Sequence, residues 1–167
     1  GVVGDVYCST TGNVNNTGFS TNSPLPGVQH VLDRYDLGAG DVIYVDTGYY
    51  VLTSSVTVGF ADMGASGNPL AIVGSTTNAN GGTVFDRQDS GSPVVLLSSV
   101  DYVTLQNLTL RGGSYGVQLS SAHNNRLENI KAWNNTAGFR GDTASTNYFL
   151  RCVAFSNSYG FQGFTVR

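Results

Sequence analysis

The side chains that could act as acids, bases or metal ligands are few and scattered along this sequence. There are two histidines, His30 and His123, and eleven acidic against eight basic residues. A histidine that acts as a general base needs a carboxylate to orient it, and for His123 the only candidates are Asp101 and Glu128. His30 falls on the polar face of a predicted helix. The densest charged segment, 86–89 with the sequence DRQD, is interpreted as a solvated turn with a local ion pair.

The sequence contains no nucleophile elbow, zinc-binding spacing or glycine-rich phosphate loop. We therefore predict no catalytic residue and no metal ligand. Aromatic side chains are better candidates for binding, because flat rings on a flat surface can stack against sugar rings. Tyr115, Trp133 and Tyr159 are the predicted carbohydrate-binding residues. The alternative is that these rings cover turns and pack against their neighbours.

The elements that would position these residues are indicated by a repeat. Gly116, Gly138 and Gly160 are spaced by 22 residues, and each precedes an apolar residue. A period of about 20 to 50 residues is typical of solenoids, in which copies of one unit stack. Traced backwards, the same period reaches Val95 and, shifted by one residue, Ile72.

Aligning the repeats predicts three apolar columns, and therefore three short strands in each coil of a parallel β-helix. The columns are Val95–Val117–Phe139–Phe161, Leu108–Ile130–Val153, and Leu105–Leu127 followed by Phe149 or Leu150. Polar columns mark the bends: Gly113–Asn135–Asn157, and Asn107–Asn129 with Cys152 on the next rung if the last repeat is one residue shorter. Buried asparagine columns can satisfy each other's amides. Arg111 aligns with Trp133 and Phe155 rather than with a charge, and no column contains two carboxylates or two basic residues.

The first forty residues are predicted to differ from the rest. Residues 2–9 read as a strand and residues 10–22 as a polar loop. A helix follows, with Val28, Val31, Leu32 and Tyr35 on one face and a stop at Gly38. We expect one domain over 1–167, with strand, loop and capping helix in 1–40 and the coils in 41–167.

Composition limits the partners and the location. Net charge is −3, charged residues make up 11%, and no cluster of lysine and arginine occurs, which excludes nucleic acid as an expected partner. No apolar run is long enough to predict membrane insertion. The chain starts at Gly1, so we expect a mature extracellular or cell-surface protein from which any export signal has been removed.

Cys8 and Cys152 fall about five rungs, roughly 25 Å, apart, too far for one disulfide. They are expected to be buried thiols, or to form a disulfide between molecules stacked head to tail.

Three segments carry a resemblance to a known superfamily. Residues 7–12 (YCSTTG), the helix at 28–37 and residues 40–50 (GDVIYVDTGYY) resemble the N-terminal strand, capping helix and first coil of the right-handed parallel β-helix superfamily. Pectate lyases, other polysaccharide lyases and alginate epimerases belong to it. The resemblance implies an all-β, right-handed solenoid, and a Ca²⁺ cofactor only if the chain is lyase-like.

Residues 159–164 (YGFQGF) resemble the epimerase motif Tyr-Gly-Phe-Asp-Pro-His but have Gln162, Gly163 and Phe164 in place of its last three residues. The epimerase acid and base are thus absent here.

These observations predict that this segment contains no group of residues arranged for catalysis. The favoured hypothesis is a secreted or cell-surface scaffold, structural or adhesive, that associates with itself end to end in a larger assembly or filament. One alternative is the N-terminal portion of a polysaccharide lyase or uronan epimerase acting on acidic polysaccharide. The other is a carbohydrate-binding module without catalysis. The expected partners are therefore polysaccharide or a second copy of the chain, with no cofactor outside the lyase hypothesis.

Overall fold

The structure, a computed structural model, describes residues 3–164. It consists of short strands wound into stacked coils, with one short α-helix and one 3₁₀ turn. In chain order the elements are β1 Asp5–Cys8, α1 Val28–Leu32, β2 Val42–Val45, β3 Gly48–Val51, β4 Val56–Val58, β5 Leu70–Gly74, the 3₁₀ turn Ala79–Gly81, β6 Thr83–Asp89, β7 Val95–Ser98, β8 Val103–Gly113, β9 Tyr115–Ser120, β10 Arg126–Trp133, β11 Ala137–Asp142, β12 Tyr148–Leu150, β13 Val153–Phe155 and β14 Tyr159–Gln162.

The strands form three faces, and the paired strands of the described chain run parallel. The first face contains β1, β2, β5, the start of β8, the start of β10, and β12. The second face contains β3, β6, the ends of β8 and β10, and β13. The third contains β4, β7, β9, β11 and β14. The predicted parallel β-helix with three strands per coil is therefore confirmed, and five coils follow β1.

The 22-residue period holds only where the corners are short. On the first face Thr104 pairs with Arg126, and Arg126 with Tyr148, each one period apart. Earlier on that face Val42 pairs with Ala71 and Ala71 with Thr104, separations of 29 and 33 residues. Loops at 59–69 and 75–82 lengthen these two coils.

Because of these loops, extending the period backwards to Ile72 was wrong. Ile72 lies on the first face, where it pairs with Ile43 and Leu105. The residue that precedes Val95 on the third face is Val56.

The last coil keeps the full period, so the proposed one-residue shortening was also wrong. Ala132 pairs with Ala154 and Trp133 with Phe155. Val153 therefore pairs with Lys131 rather than following Ile130. Arg151, not Cys152, follows Asn107 and Asn129 in their column, and all three adopt left-handed backbone conformations with φ of 52° to 56°.

Left-handed residues occur at all the corners of the regular coils. Twelve non-glycine residues have φ between 49° and 57°. Eleven of them fall into columns spaced by 22 residues: Ser99–Ser121–Thr143, Tyr102–Asn124–Thr146, Asn107–Asn129–Arg151 and Asn134–Ser156. Gly112 precedes Asn134 at the same spacing, and the twelfth residue, Gln88, lies in the coil below Gly112. Non-glycine residues other than Asn and Asp are strained in this conformation by roughly 1–2 kcal/mol. Packing between coils must therefore stabilise these bends.

The predicted asparagine column satisfies backbone groups at one corner. Asn135 Oδ1 accepts the Gly113 amide at 3.0 Å, and Asn157 Oδ1 accepts the Asn135 amide at 2.9 Å. Asn135 Nδ2 in turn donates to Leu110 O at 3.2 Å. A second such column, Asn125 and Asn147, lies at the corner before the first face. Each side chain binds the backbone of a neighbouring coil, so the polar corners remain saturated although Asn125 and Asn135 are buried.

The periodic glycines are explained by lack of space rather than by backbone conformation. A Cβ on Gly116 would lie 2.6 Å from Gly138 O and 2.7 Å from Ala132 Cβ. A Cβ on Gly138 would lie 2.6 Å from Ala154 Cβ. Neither has a positive φ. The coil narrows at this point, and the glycine column lies against the alanine column.

The helix covers the N-terminal end of the coils, as predicted, but it is shorter than residues 28–37. It ends at Leu32, and Val28, Val31 and Leu32 are buried. Gln29 Oε1 accepts the Thr57 amide at 2.9 Å, which satisfies an edge donor of β4. Arg34 and Tyr35 lie beyond the helix, and their side chains bind carbonyls of the loop at residues 14–17. No helix within residues 3–164 has the length and hydropathy needed to cross a bilayer.

Candidate functional site

Side chains of opposite charge and large aromatic rings stack on the outer surface of the second face. In register, Asp86 pairs with Arg111, Arg111 with Trp133, and Trp133 with Phe155. We call these four residues the aromatic–ion row. The predicted alignment of Arg111 with Trp133 and Phe155 is confirmed. The prediction that Arg111 has no charged neighbour is wrong, since Asp86 lies on its other side.

Asp86 is a buried carboxylate with three donors around it. It is 3% exposed and accepts hydrogen bonds from the Tyr49 hydroxyl and, at 3.2 Å, from the Gln88 amide. Arg111 Nε lies 3.5 Å from its Oδ2. The hydrogen bond to Asp86 raises the pKa of Tyr49, because the phenol proton is shared with an anion. A buried charge is tolerated only with such partners.

The interpretation of segment 86–89 as a solvated turn is therefore corrected. Residues 83–89 form β6, with a register irregularity between Asp86 and Asp89. The local ion pair is confirmed, with 3.0 Å between Arg87 and Asp89, but Asp86 belongs to the sheet. Asp86 and Tyr49 were missed because the coil below Arg111 is not one 22-residue period away. One signal was available in the sequence: Asp86 is a charged residue that directly follows the strand-forming residues 83–85.

Arg111 is held between charge and ring. Its guanidinium carbon lies 4.2 Å from the centroid of the Trp133 ring, a cation–π geometry. The rings of Trp133 and Phe155 are parallel within 6°, with centroids 6.0 Å apart. The Arg111 side chain is 27% exposed and Phe155 is 47% exposed. The row thus stacks the Arg111 guanidinium and the rings of Trp133 and Phe155 along the axis of the β-helix, and Phe155 is the more exposed of the two rings.

A polar groove of about 570 Å³ runs beside the row at the corner between the second and third faces. The residues that line it beyond Asp86 and Arg111 include Gln88, Asp89, Asn134, Thr136 and Ser158. These side chains supply amide, hydroxyl and carboxylate groups next to the flat rings. Polar groups flanking an aromatic platform are suited to a ligand with many hydroxyls.

The three predicted sugar-binding aromatics lie on two faces. Trp133 is on the second face, whereas Tyr115 and Tyr159 pair on either side of Ala137 on the third. Arg140 lies over the Tyr115 ring at 5.8 Å, and its guanidinium is 2.7 Å from Asp142. Tyr159 is 54% exposed. The structure therefore places Trp133 in the aromatic–ion row and the two tyrosines beyond the corner from it.

His123 takes part in a hydrogen-bond column of the backbone. Asp101 Oδ1 accepts the His123 amide at 3.1 Å, and His123 Nδ1 accepts the Ser145 amide at 3.1 Å. Asp101 thus binds the backbone and not the ring. Glu128, the other candidate partner, binds Arg126, Arg151 and Gln106. Neither carboxylate is placed to orient His123 as a base.

Both cysteines are free thiols. Cys8 is 2% exposed, and burial raises its pKa to about 12. Cys152 is less buried, and burial also raises its pKa. Their predicted disulfide between molecules stays a prediction. Within residues 3–164 no three His, Cys, Asp or Glu side chains are grouped as metal ligands.

Comparison with known proteins identifies the class to which this fold belongs. The family model of the right-handed beta helix region matches residues 41–165, so the chain belongs to the right-handed β-helix proteins. The resemblance and the fold class expected from the sequence are thereby confirmed, including the handedness. No curated protein sequence matches significantly.

Solved structures show the same fold at low sequence identity. A rhamnogalacturonan lyase superposes with a TM-score of 0.76 and 20% identity over 95% of this chain and 43% of its own. A GH136 lacto-N-biosidase from Eubacterium ramulus superposes with a TM-score of 0.63 and 15% identity, over 95% of this chain and 34% of its own. An alginate lyase from Paenibacillus sp. superposes with a TM-score of 0.59 and 18% identity, over 75% of this chain and 40% of its own. The chain thus spans less than half the length of these proteins. At these identities the comparison establishes the β-helix fold alone.

Proposed function

We propose that this chain is a carbohydrate-binding part of an extracellular β-helix protein, and that polysaccharide lies along the aromatic–ion row. The observation that carries the proposal is the outward stack of Arg111, Trp133 and Phe155 beside a hydroxyl- and amide-lined groove. The similar structures bear the names of enzymes that act on carbohydrates, which supports the class of ligand. The extracellular location is part of the proposal.

The geometry favours a polymer over a small ligand. The row crosses four consecutive coils, which lie about 4.8 Å apart, so its residues form a straight line along the axis of the β-helix. Neutralisation of Arg111 by Asp86 leaves the row with little net charge. Ring stacking then supplies the attraction, and the adjacent groove supplies hydrogen-bond partners.

Affinity electrophoresis of the full chain through gels that contain rhamnogalacturonan, alginate or a neutral glucan tests this function. We expect retardation in at least one gel, lost in Trp133→Ala and reduced in Phe155→Ala. Phe60→Ala is the matched control, since Phe60 is 70% exposed and lies in the loop after β4. Equal retardation of Trp133→Ala and the parent protein, with unchanged circular dichroism, would contradict the proposal.

Catalysis in a longer polypeptide is a separate proposal. If the chain is part of a polysaccharide lyase, a protein that includes the following coils will release unsaturated products from a uronic-acid polymer. If it is part of an epimerase, the polymer composition will change without chain cleavage. Carbohydrate binding with neither product would favour a module without catalysis.

The scaffold hypothesis is the second candidate, and it is supported by the last described coil. Large apolar side chains there are 40–65% exposed: Tyr148, Leu150, Val153, Phe155, Tyr159 and Phe161. Exposed strand edges promote pairing with another chain. The other end is covered, since Gln29 binds Thr57 on β4 and the loop at 18–25 pairs with β1. For the polypeptide of residues 1–167, we propose that self-association joins the last coils of two molecules, which gives a dimer rather than a filament because the other end is covered.

Sedimentation velocity across a concentration series tests that association. We expect a concentration-dependent increase in mass that Phe161→Asp abolishes and Phe60→Asp leaves unchanged. A monomer at millimolar concentration would remove the scaffold hypothesis for this segment while leaving carbohydrate binding untouched.

A further inference from the structure

A second cleft lies at the N-terminal end, away from the aromatic–ion row. It has a volume of about 540 Å³ and is formed by the outer side of β1 and β2 and by the loop after β1. Tyr7 and Tyr44 form its floor, with ring centroids 5.4 Å apart and ring planes 19° from parallel. Tyr44 is 38% exposed, so part of its ring is accessible from the cleft, between Tyr7 and Val73 of the neighbouring coils. We call this the tyrosine cleft.

The wall of the tyrosine cleft is held in place by bonds from several elements. The Tyr7 amide donates to Gly18 O at 2.7 Å, which ties the loop to β1. Arg34, just beyond α1, donates to the carbonyls of Val14 and Asn16. The Tyr35 hydroxyl donates to Thr17 O at 2.6 Å. The loop is thus a fixed wall, and a ligand would not have to order it, which favours binding.

One carboxylate is positioned at the end of the floor. Asp46 Oδ1 accepts the Thr47 amide at 2.7 Å, and the Asp46 amide donates to Cys8 O at 2.9 Å. These bonds fix the backbone and one carboxylate oxygen, while the side chain remains exposed. A carboxylate of this kind accepts hydrogen bonds from hydroxyl groups of a ligand.

The charge of the lining selects among sugars. Asp46 is the one carboxylate among the described residues that line the cleft, and no lysine or arginine is among them. The remaining polar groups are hydroxyls and amides, from Ser9, Thr11, Asn16, Thr21, Asn22 and Ser75. The carboxylate of an acidic sugar would be repelled by Asp46 and would find no cation, whereas a neutral sugar would not.

We propose that the tyrosine cleft is a binding site for a neutral oligosaccharide. One pyranose ring stacks on Tyr44, and its hydroxyls donate to the Asp46 carboxylate and exchange hydrogen bonds with the asparagine and threonine side chains of the wall. This site is independent of the aromatic–ion row, so it stands or falls separately from the function proposed above.

Chemical-shift mapping of the ¹⁵N-labelled full chain tests the site. The probes are tetrasaccharides of β-linked glucose, galactose and xylose, with tetragalacturonate as the acidic comparison. We expect saturating shifts at residues of the tyrosine cleft with at least one neutral probe and binding at least about tenfold weaker for tetragalacturonate. Tyr44→Ala should weaken binding about fivefold or more, as expected for loss of a stacking ring.

Two further variants make the result decisive. Asp46→Asn keeps an oxygen for the Thr47 amide, so it should leave the fold intact, weaken neutral binding and reduce the discrimination against tetragalacturonate. Tyr148→Ala on the same face is the control, because Tyr148 is 65% exposed but four coils away from Tyr44. The proposal is overturned if no neutral probe gives saturating shifts, if shifts persist at equal affinity in Tyr44→Ala, or if they map to Trp133 alone.

Discussion

The guanidinium carbon of Arg111 lies 4.2 Å from the centroid of the Trp133 ring. The two residues are 22 positions apart in sequence and directly paired in the sheet. Asp86 holds the same guanidinium from the coil below, at 3.5 Å from Nε. The position of Arg111 is thus determined by one neighbour on each side along the axis of the β-helix, and a change at Asp86 should be felt at the aromatic surface.

The first prediction concerns Asp86→Asn. The amide retains the shape of the carboxylate but loses its charge, so Tyr49 loses a charged hydrogen-bond acceptor and Arg111 loses the partner of its ion pair. We expect unfolding in urea to show a loss of about 2 kcal/mol, the usual size for hydrogen bonds to a buried charged group. The pKa of Tyr49 should fall back towards its ordinary value, as read from its ultraviolet or NMR titration.

The control for Asp86→Asn is Asp89→Asn, which removes an exposed carboxylate that pairs with the largely buried Arg87. That change should leave the Tyr49 titration as it was, because Tyr49 binds Asp86, and should lower the urea midpoint less than Asp86→Asn, because Asp89 itself is exposed. Equal effects at positions 86 and 89 would contradict the role assigned to Asp86.

The second prediction concerns the periodic glycines. Gly116→Ala and Gly138→Ala place a methyl group against Ala132 and Ala154 respectively, and each should cost about 1–3 kcal/mol in the free energy of unfolding. Gly160→Ala is the matched control in the same column, since its Cβ would meet Ala154 Cβ at an ordinary 3.9 Å. It should be neutral or stabilising by less than about 1 kcal/mol. A destabilisation at Gly160 as large as at Gly138 would show that backbone conformation, not space, requires glycine.

The third prediction concerns the strained corners. Ser156 has φ of 52°, whereas the nearby Ser158 is equally exposed and is not left-handed. Ser156→Gly relieves the Cβ strain and should stabilise the last coil, by up to about 1 kcal/mol after the entropy cost of glycine. Ser158→Gly has only the entropy cost and should destabilise slightly. Hydrogen exchange at β13 and β14 measures both, and the opposite order of stability would refute the explanation.

The fourth prediction uses the two thiols. Reaction with iodoacetamide requires the thiolate, and at pH 8 a pKa of about 12 leaves only about one Cys8 in ten thousand ionised. Raising the pH towards 12 increases that fraction, and burial limits access as well. We expect Cys152 to be alkylated first in the native protein, with Cys8 reacting only at the rate of global unfolding. In denaturant both should react alike, and rapid native labelling of Cys8 would contradict its burial.

The sequence predicted the fold well where coils are uniform and less well elsewhere. From Val95 onward the apolar columns of the third face follow the 22-residue period, because short corners leave no room for insertions. Before Val95, loops of variable length separate paired residues by 24 to 39 positions, so Ile72 was misassigned and the Asp86–Arg111 pair was missed. A fixed period cannot detect partners across such loops.

The backbone conformation at the corners was the other property that could not be predicted from the sequence. Asn107 and Asn129 predicted a polar bend, but Arg151 at the next rung has no propensity for the left-handed conformation found there. Its backbone follows that of the coil beneath, and its side chain binds Glu128. The candidate site shows the same limit: the aromatic side chains were visible in the sequence, but their distribution over two faces depends on where the corner at 134–136 falls.

The columns of left-handed corners also make whole coils exchangeable. Ser114 and Thr136 stand at equivalent places, each just before a strand of the third face, so removal of residues 115–136 would join Ser114 to Ala137, the residue that pairs with Tyr115. The shortened chain would reuse the bends already present on either side. Recombination at such equivalent points changes the length of the β-helix in steps of one coil, and the binding surfaces on its faces lengthen or shorten by the same steps.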